Sequence, residues 1–374
     1  MLNVPLITSA MRKLGLSPAA LADACEVSRE AVSKWLGNES LPRPRKLSVL
    51  AEKLQLSVDE LLGVTRRPEP VVAYRTRQKR GMSDEAHTAG LEVGRHLQEL
   101  LQFVDRSALF EPPVLREPSL DENYIQDAAL AVRKSLGVGL TDVITREQLF
   151  ELFHDFGAYL VPVFWGGDKD GHENAMSIYL PDSKVSFVVF NLGCRQDDFK
   201  YWLAHEYGHC LTLHALQGDQ GEDFAEKFAQ HLLFPDELAS QALATIRAAK
   251  SRVEALAAAN WFAGKYDISV ITVVRAADRV AQIRSEKETG LATRQFYAAW
   301  KAQRKSAPTM TKVIYGSEKP STVEFVKGSE KMFRTPVFEA LHAWQEANGG
   351  RSPAFVASAF NVSLGQAIEL SKAV

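Results

Sequence analysis

Cysteine is scarce in this sequence: Cys25, Cys194 and Cys210 are the three among 374 residues. They are too few and too scattered for a disulfide framework, and a reducing cytoplasm is the expected setting. No apolar stretch reaches membrane-spanning length, and the N-terminus lacks a basic start followed by an apolar run. Neither a membrane span nor a signal peptide is therefore expected. An excess of one charge is missing too: 44 Lys and Arg against 46 Asp and Glu leave a net charge of −2. Nothing global argues for nucleic acid or membrane, so any basic surface has to be local. What is present is a globular composition, 46% hydrophobic and 24% charged, in a chain long enough for two or three cores.

The first segment reads as short helices. Ser17-Pro18 opens one with a capping serine and a first-turn proline, and Ser28 caps a second that Gly37-Asn38 stops. Leu21, Ala22, Val27, Val32 and Trp35 fall at buried spacings, the pattern of a helix-turn-helix. Residues 6–63 resemble the Cro/CI-type (XRE) helix-turn-helix family in the turn and in the Trp-x-Gly-Asn ending. That resemblance implies that the second helix enters the DNA major groove, with Arg29, Glu30, Ser33 and Lys34 facing bases and Arg43, Arg45 and Lys46 near phosphates. A small protein-interaction domain is the alternative, since residues 1–65 hold 8 Lys/Arg against 7 Asp/Glu, a weak electrostatic footprint.

Residues 65–80 carry six basic residues against one acidic, with Pro68 and Pro70, and read as an extended linker. An apolar stripe from Leu91 to Val104 predicts a helix. Beyond Pro112-Pro113 and Pro118 a new globular unit begins near Asp121, with two amphipathic helices ending at Gly137 and Gly157. Strands are expected over 159–165, 175–180 and 185–190. The last of them delivers the chain to Phe199-Lys200-Tyr201-Trp202-Leu203-Ala204-His205-Glu206-Tyr207-Gly208-His209-Cys210.

Within that stretch sits His205-Glu206-x-x-His209. On a helix, positions i and i+4 share a face, so both imidazoles can bind one Zn²⁺, with Glu206 as the base that takes a proton from the attacking water. A catalytic site wants a third protein ligand. After the polar break 217–221, a second helix offers Glu222 and Glu226, four apart on one face. Glu222, first in that helix, can complete a His₂Glu set; Glu226 can be the ligand instead, or a group orienting a histidine. Cys194, eleven residues before His205, is a candidate regulatory ligand whose thiolate would take the open position. Tyr201, Tyr207, His214 and His231 are within sequence reach of an oxyanion.

Residues 120–240 resemble the ImmA/IrrE family of zinc peptidases. The matching pieces are Ala131-Val132-Arg133, Phe199 with Leu203-Ala204-His205-Glu206-x-Gly208-His209, Leu213-His214, and Glu222-x-x-Ala225-Glu226-x-Phe228-Ala229-x-x-Leu232-Leu233-x-Pro235. The resemblance implies a zincin-like metallopeptidase with His205, His209 and Glu222 as Zn²⁺ ligands and Glu206 as catalytic base. It also implies a helix-turn-helix repressor as substrate. In this family Asn or Asp more often stands at the position of Glu226.

Farther on, 256–274 reads as a helix, a turn and a serine-capped helix, and 353–363 echoes 18–28 in a second helix-turn-helix-like element without basic residues. Residues 305–327 look polar, with a strand-like Val323-Glu324-Phe325-Val326. The expected class is α+β. An all-α helix-turn-helix domain (1–65) is followed by a linker and helix (66–118), then a zincin-like domain with a small sheet (119–245). A helical extension (246–290) and a helical C-terminal part (291–374) complete the chain. The expected activity is a zinc endopeptidase acting on a repressor, with DNA as a further partner. The alternative is a DNA-binding regulator or antitoxin-like protein with little proteolysis.

Overall fold

The computed structural model describes residues 2–63, 68–74, 84–105, 112–164 and 175–374. Contacts divide the chain into two units, Met1–Pro68 and Glu69–Val374.

Among its described residues the first unit has five helices, α1 (Val4–Lys13), α2 (Pro18–Ala24), α3 (Arg29–Leu36), α4 (Pro44–Leu54) and α5 (Val58–Leu61). Ser17 and Ser28 each accept a hydrogen bond, 3.1 Å, from the backbone N–H three residues on, satisfying donors that a helix start leaves open. The core closes around Ile7, Leu21, Val32, Trp35, Leu50 and Leu61. Removing this apolar area from water holds five short helices together that none could sustain alone.

The second unit is mostly helical around one small mixed sheet. Strand β1 (Val71–Tyr74) comes first, then α6 (Asp84–Leu100), α7 (Glu122–Ser135) and α8 (Arg146–Phe156). Strands β2 (Tyr159–Val163), β3 (Ala175–Leu180) and β4 (Val185–Asn191) follow, and β4 feeds α9 (Gln196–Thr212) and α10 (Gly218–Leu233). The sheet order is β1-β3-β4-β2, with β2 parallel to β4 and the other pairs antiparallel. Every residue of β4 is buried, as a central strand covered on both faces requires. Helix α9 packs on β3 and α8, and α10 packs on α9 and α7.

Beyond them lie α11 (Asp236–Ala248), α12 (Arg252–Tyr266), α13 (Val270–Ile283), α14 (Arg294–Arg304), α15 (Met310–Tyr315), α16 (Thr322–Phe333), α17 (Val337–Ala347), α18 (Pro353–Phe360) and α19 (Leu364–Ala373). One hydrophobic core runs from Val72 to Leu370, so the parts 119–245, 246–290 and 291–374 share a single interior. Helices α18 and α19 repeat the helix-turn-helix outline but bury Phe355, Val356 and Phe360 in that core.

Two expectations are corrected. The segment 323–326 is helical, inside α16, because Ser321 and Glu324 form a capping box that starts a helix there. The linker 65–80 is not uniformly extended coil: Val71–Tyr74 pairs with β3. The rest of it, apart from 68–70, lies outside the described residues, as does the end of the 159–165 strand.

Candidate metal centre

Helix α9 is buried along the face that bears His205, Glu206 and His209, each no more than 2% exposed. One helical turn separates the two imidazoles, which meet edge to face with Nε2 atoms 3.1 Å apart. Helix α10 supplies the third donor. Glu222 brings Oε2 to 3.4 Å from His205 Nε2 and Oε1 to 3.2 Å from His209 Nε2. Among the described residues, these three are the group whose donor atoms gather closely enough for one metal ion.

The donor set fits zinc. Bonds of about 2.0–2.1 Å in a tetrahedral shell put neighbouring ligand atoms about 3.3 Å apart; the two imidazole Nε2 atoms stand 3.1 Å apart, and Glu222 turns a different oxygen to each histidine, at 3.4 and 3.2 Å. Two nitrogens and one carboxylate also make a donor set that leaves a fourth position for water or substrate. Burial works to raise the Glu222 carboxyl, but the two imidazoles outweigh it and hold the group well below the usual carboxylate range.

Two glycines let α10 sit close, one to α9 and one to the loop that precedes α10. A Cβ on Gly208 would lie 3.0 Å from Ala225 Cα and 3.3 Å from Phe228. A Cβ on Gly221, the residue before Glu222, would lie 2.9 Å from the Leu216 carbonyl oxygen. The polar break expected at 217–221 is thus the first turn of α10, tightly folded against the end of the preceding loop. At the far end of α10, the buried Arg133 guanidinium donates to the carbonyls of Leu232, Gly139 and Asp142. This ties α7 to the helix that presents Glu222.

Glu206 turns toward the sheet. Ser177, in the middle of β3, donates a 2.6 Å hydrogen bond to its Oε2, and both residues are buried. Sequence reasoning missed Ser177; its signal was a single hydroxyl in the apolar run Ala175-Met176-Ser177-Ile178.

Other candidates are placed elsewhere. Glu226 is half-exposed, its carboxylate 3.8 Å from Arg275, and Glu222 takes the ligand position instead. Glu226 lies one turn farther along α10. Cys194 is buried at the junction of β4 and α9, where its carbonyl accepts from Met310 N–H. The donor group of His205, His209 and Glu222 forms without its thiol. Cys210, on α9, is fully enclosed, and burial pushes its thiol far up. Tyr201 donates to the Glu226 carbonyl, Tyr207 packs among Phe153, Phe156 and Phe228, and His231 meets Glu122 at 2.8 Å. His214 packs edge-on against Tyr179 of β3.

In the first unit, Arg29, Glu30, Ser33 and Lys34 are all exposed on α3 while Val32 and Trp35 point into the core. Lys34 pairs with Glu30 at 2.8 Å. Lys46 is otherwise engaged: its ammonium donates to the Cys25 carbonyl at 2.9 Å, closing the end of α2.

The helical arrangement of the first unit defines a class, the helix-turn-helix proteins. A helix-turn-helix family model matches residues 7–61, which makes this segment a helix-turn-helix domain. No curated protein and no solved structure matches the chain. Among the described residues no helix is long and apolar enough to cross a membrane.

Proposed function

We propose that the protein is a zinc-dependent endopeptidase carrying a DNA-binding helix-turn-helix domain, and that it regulates transcription by cleaving a helix-turn-helix repressor. A stress, phage-defence or mobile-element response is the setting that the ImmA/IrrE resemblance implies. The observation carrying this reading is the convergence of His205, His209 and Glu222, whose donor atoms lie within 4.8 Å of one another, next to the buried carboxylate of Glu206.

Zinc held by the three ligands would polarise the scissile carbonyl and make water a nucleophile near neutral pH. Glu206 takes the proton of the attacking water and returns it to the leaving amine. Ser177 fixes one carboxylate oxygen, so the base meets its proton without first having to reorient. A small sheet backing the helix of His205 and His209, with a second helix delivering the carboxylate, supports a zincin-like domain. Exposed Arg29, Glu30, Ser33 and Lys34 on α3 support DNA contact through the helix-turn-helix.

A second reading is a regulator or antitoxin-like protein that binds its partner with little proteolysis. It is favoured by the near-complete burial of His205, Glu206 and His209. The deciding experiment incubates the zinc-loaded protein with helix-turn-helix repressors encoded beside its gene. Cleavage by the wild type and none by Glu206→Ala supports the peptidase. A Glu206→Ala protein that gives full pathway output in cells excludes it in favour of the second reading.

A further inference from the structure

Strand β1 belongs by position to the stretch that follows the helix-turn-helix domain, yet it pairs with β3, far along the chain. Three features dock it. Glu69 accepts hydrogen bonds of 2.9 and 3.0 Å from Arg95 of α6. Pro70 seats over Gly94 of α6, where a Cβ would come within 2.6 Å of the proline ring. Val72 and Ala73 are 8% and 7% exposed.

The register gives this docking its meaning. Ala73 stands opposite Ser177, the residue whose hydroxyl holds Glu206. On another side β1 approaches α10, the helix of Glu222. An extended chain at this edge therefore runs beside the metal triad and the base together. A peptide recognised by strand addition would take the same place, with backbone hydrogen bonds giving affinity and alternate side chains giving selectivity.

Resting on the peptidase reading, we propose that β1 is an internal stand-in for substrate. Residues 69–74 occupy the peptide-binding edge of β3 and keep the site closed. The substrate class that edge accepts is an extended peptide with small apolar side chains, of the Pro-Val-Val-Ala type. Tethering makes the internal strand a strong competitor, since a short linker holds a segment at an effective concentration in the millimolar range. In sequence, residues 62–70 lie between α5, the last helix of the first unit, and β1.

Gly94→Ala tests this in the zinc-loaded full-length protein. Alanine suits the interior of α6, while its methyl displaces Pro70. The probe is a fluorescein-labelled peptide of residues 69–74, followed by anisotropy, with hydrolysis of labelled casein measured in parallel. Peptide binding should be at least tenfold tighter in Gly94→Ala than in the wild type, and casein hydrolysis at least tenfold faster. Adding Glu206→Gln should abolish hydrolysis and leave binding intact. Tighter binding with no hydrolysis in any variant keeps the docked strand and removes the peptidase reading. Equal binding by wild type and a folded Gly94→Ala makes β1 a permanent strand and overturns the proposal, whatever the hydrolysis. Hydrogen exchange on the wild type serves should the variant not fold. Amides 71–74 should exchange at least a hundredfold faster than those of β4, and equal rates overturn the proposal.

Discussion

Ser177 and Glu206 meet across the interface between β3 and α9, hydroxyl to carboxylate at 2.6 Å, with neither residue exposed. A hydrogen bond to a buried ionised group stabilises by about 1.5–3 kcal/mol, more than an ordinary one. It also fixes where the carboxylate points.

The first prediction is drawn from that bond. Ser177→Ala should lower kcat for repressor cleavage by about tenfold, with zinc content still one per chain and KM little changed. Loss of a buried donor should lower the melting temperature by a few degrees. Unchanged kcat in Ser177→Ala shows that the bond serves stability alone.

A second prediction concerns the contact of α9 with α10. Gly221→Ala sets a methyl against the Leu216 carbonyl oxygen, and backbone does not yield as a side chain can. The first turn of α10 must shift, taking Glu222 with it. Zinc affinity should fall about 10–100-fold, the range seen when groups supporting a metal ligand are disturbed. Gly208→Ala, facing Ala225 Cα, should act in the same direction and more weakly. Chelator competition measures both, and wild-type affinity in Gly221→Ala removes the packing argument.

Much of this geometry was legible in the sequence because it is local. His205 and His209 share a face through helical spacing alone, and capping serines mark α2, α3 and α13 directly. Spacing alone left the choice between Glu222 and Glu226 open, and only the family resemblance pointed to Glu222. The choice depends on the rotation of α10 against α9, where Gly208 meets Ala225 and Phe228, residues distant in sequence. Strand β1 was hidden for a similar reason: four residues between a proline and a basic run have no strand signature until β3 supplies a partner. The misreading at 323–326 is different. Ser321 and Glu324 carried the capping signature in plain sight, and the alternation of Val323, Phe325 and Val326 outweighed it.

A third prediction turns on Lys200, 2% exposed in α9, whose ammonium donates to the Tyr266 carbonyl. Burial pushes it down to about 8. Below that pH the folded and unfolded chains both hold the proton. Between about 8 and the ordinary 10.5 the unfolded chain binds more protons, so this group makes stability rise with pH across that window. From pH 7.5 to 9.5 the wild type should gain roughly 2 kcal/mol relative to Lys200→Met. Urea unfolding at the two pH values measures the difference, and parallel pH profiles for the two proteins refute the assignment.

The last prediction separates the cations of the helix-turn-helix domain by what they touch. Arg29 opens α3 and is exposed there, where a recognition helix brings its first residues to base edges. Arg29→Ala should therefore cost about 1–3 kcal/mol of specific affinity and relax preference at one base position. Arg43 and Arg45 are exposed at the start of α4, and each change to Ala should reduce the slope of log K against log salt by about 1. Lys46, beside them in sequence, closes α2 through the Cys25 carbonyl. Lys46→Ala should leave the salt slope unchanged and lower the domain's stability by about 1 kcal/mol. Anisotropy titrations at several salt concentrations, paired with thermal melts, test all four residues. With 8 basic against 7 acidic residues in the first 65, the slope itself should be shallow. A wild-type domain whose DNA binding does not respond to salt is not making these phosphate contacts at all.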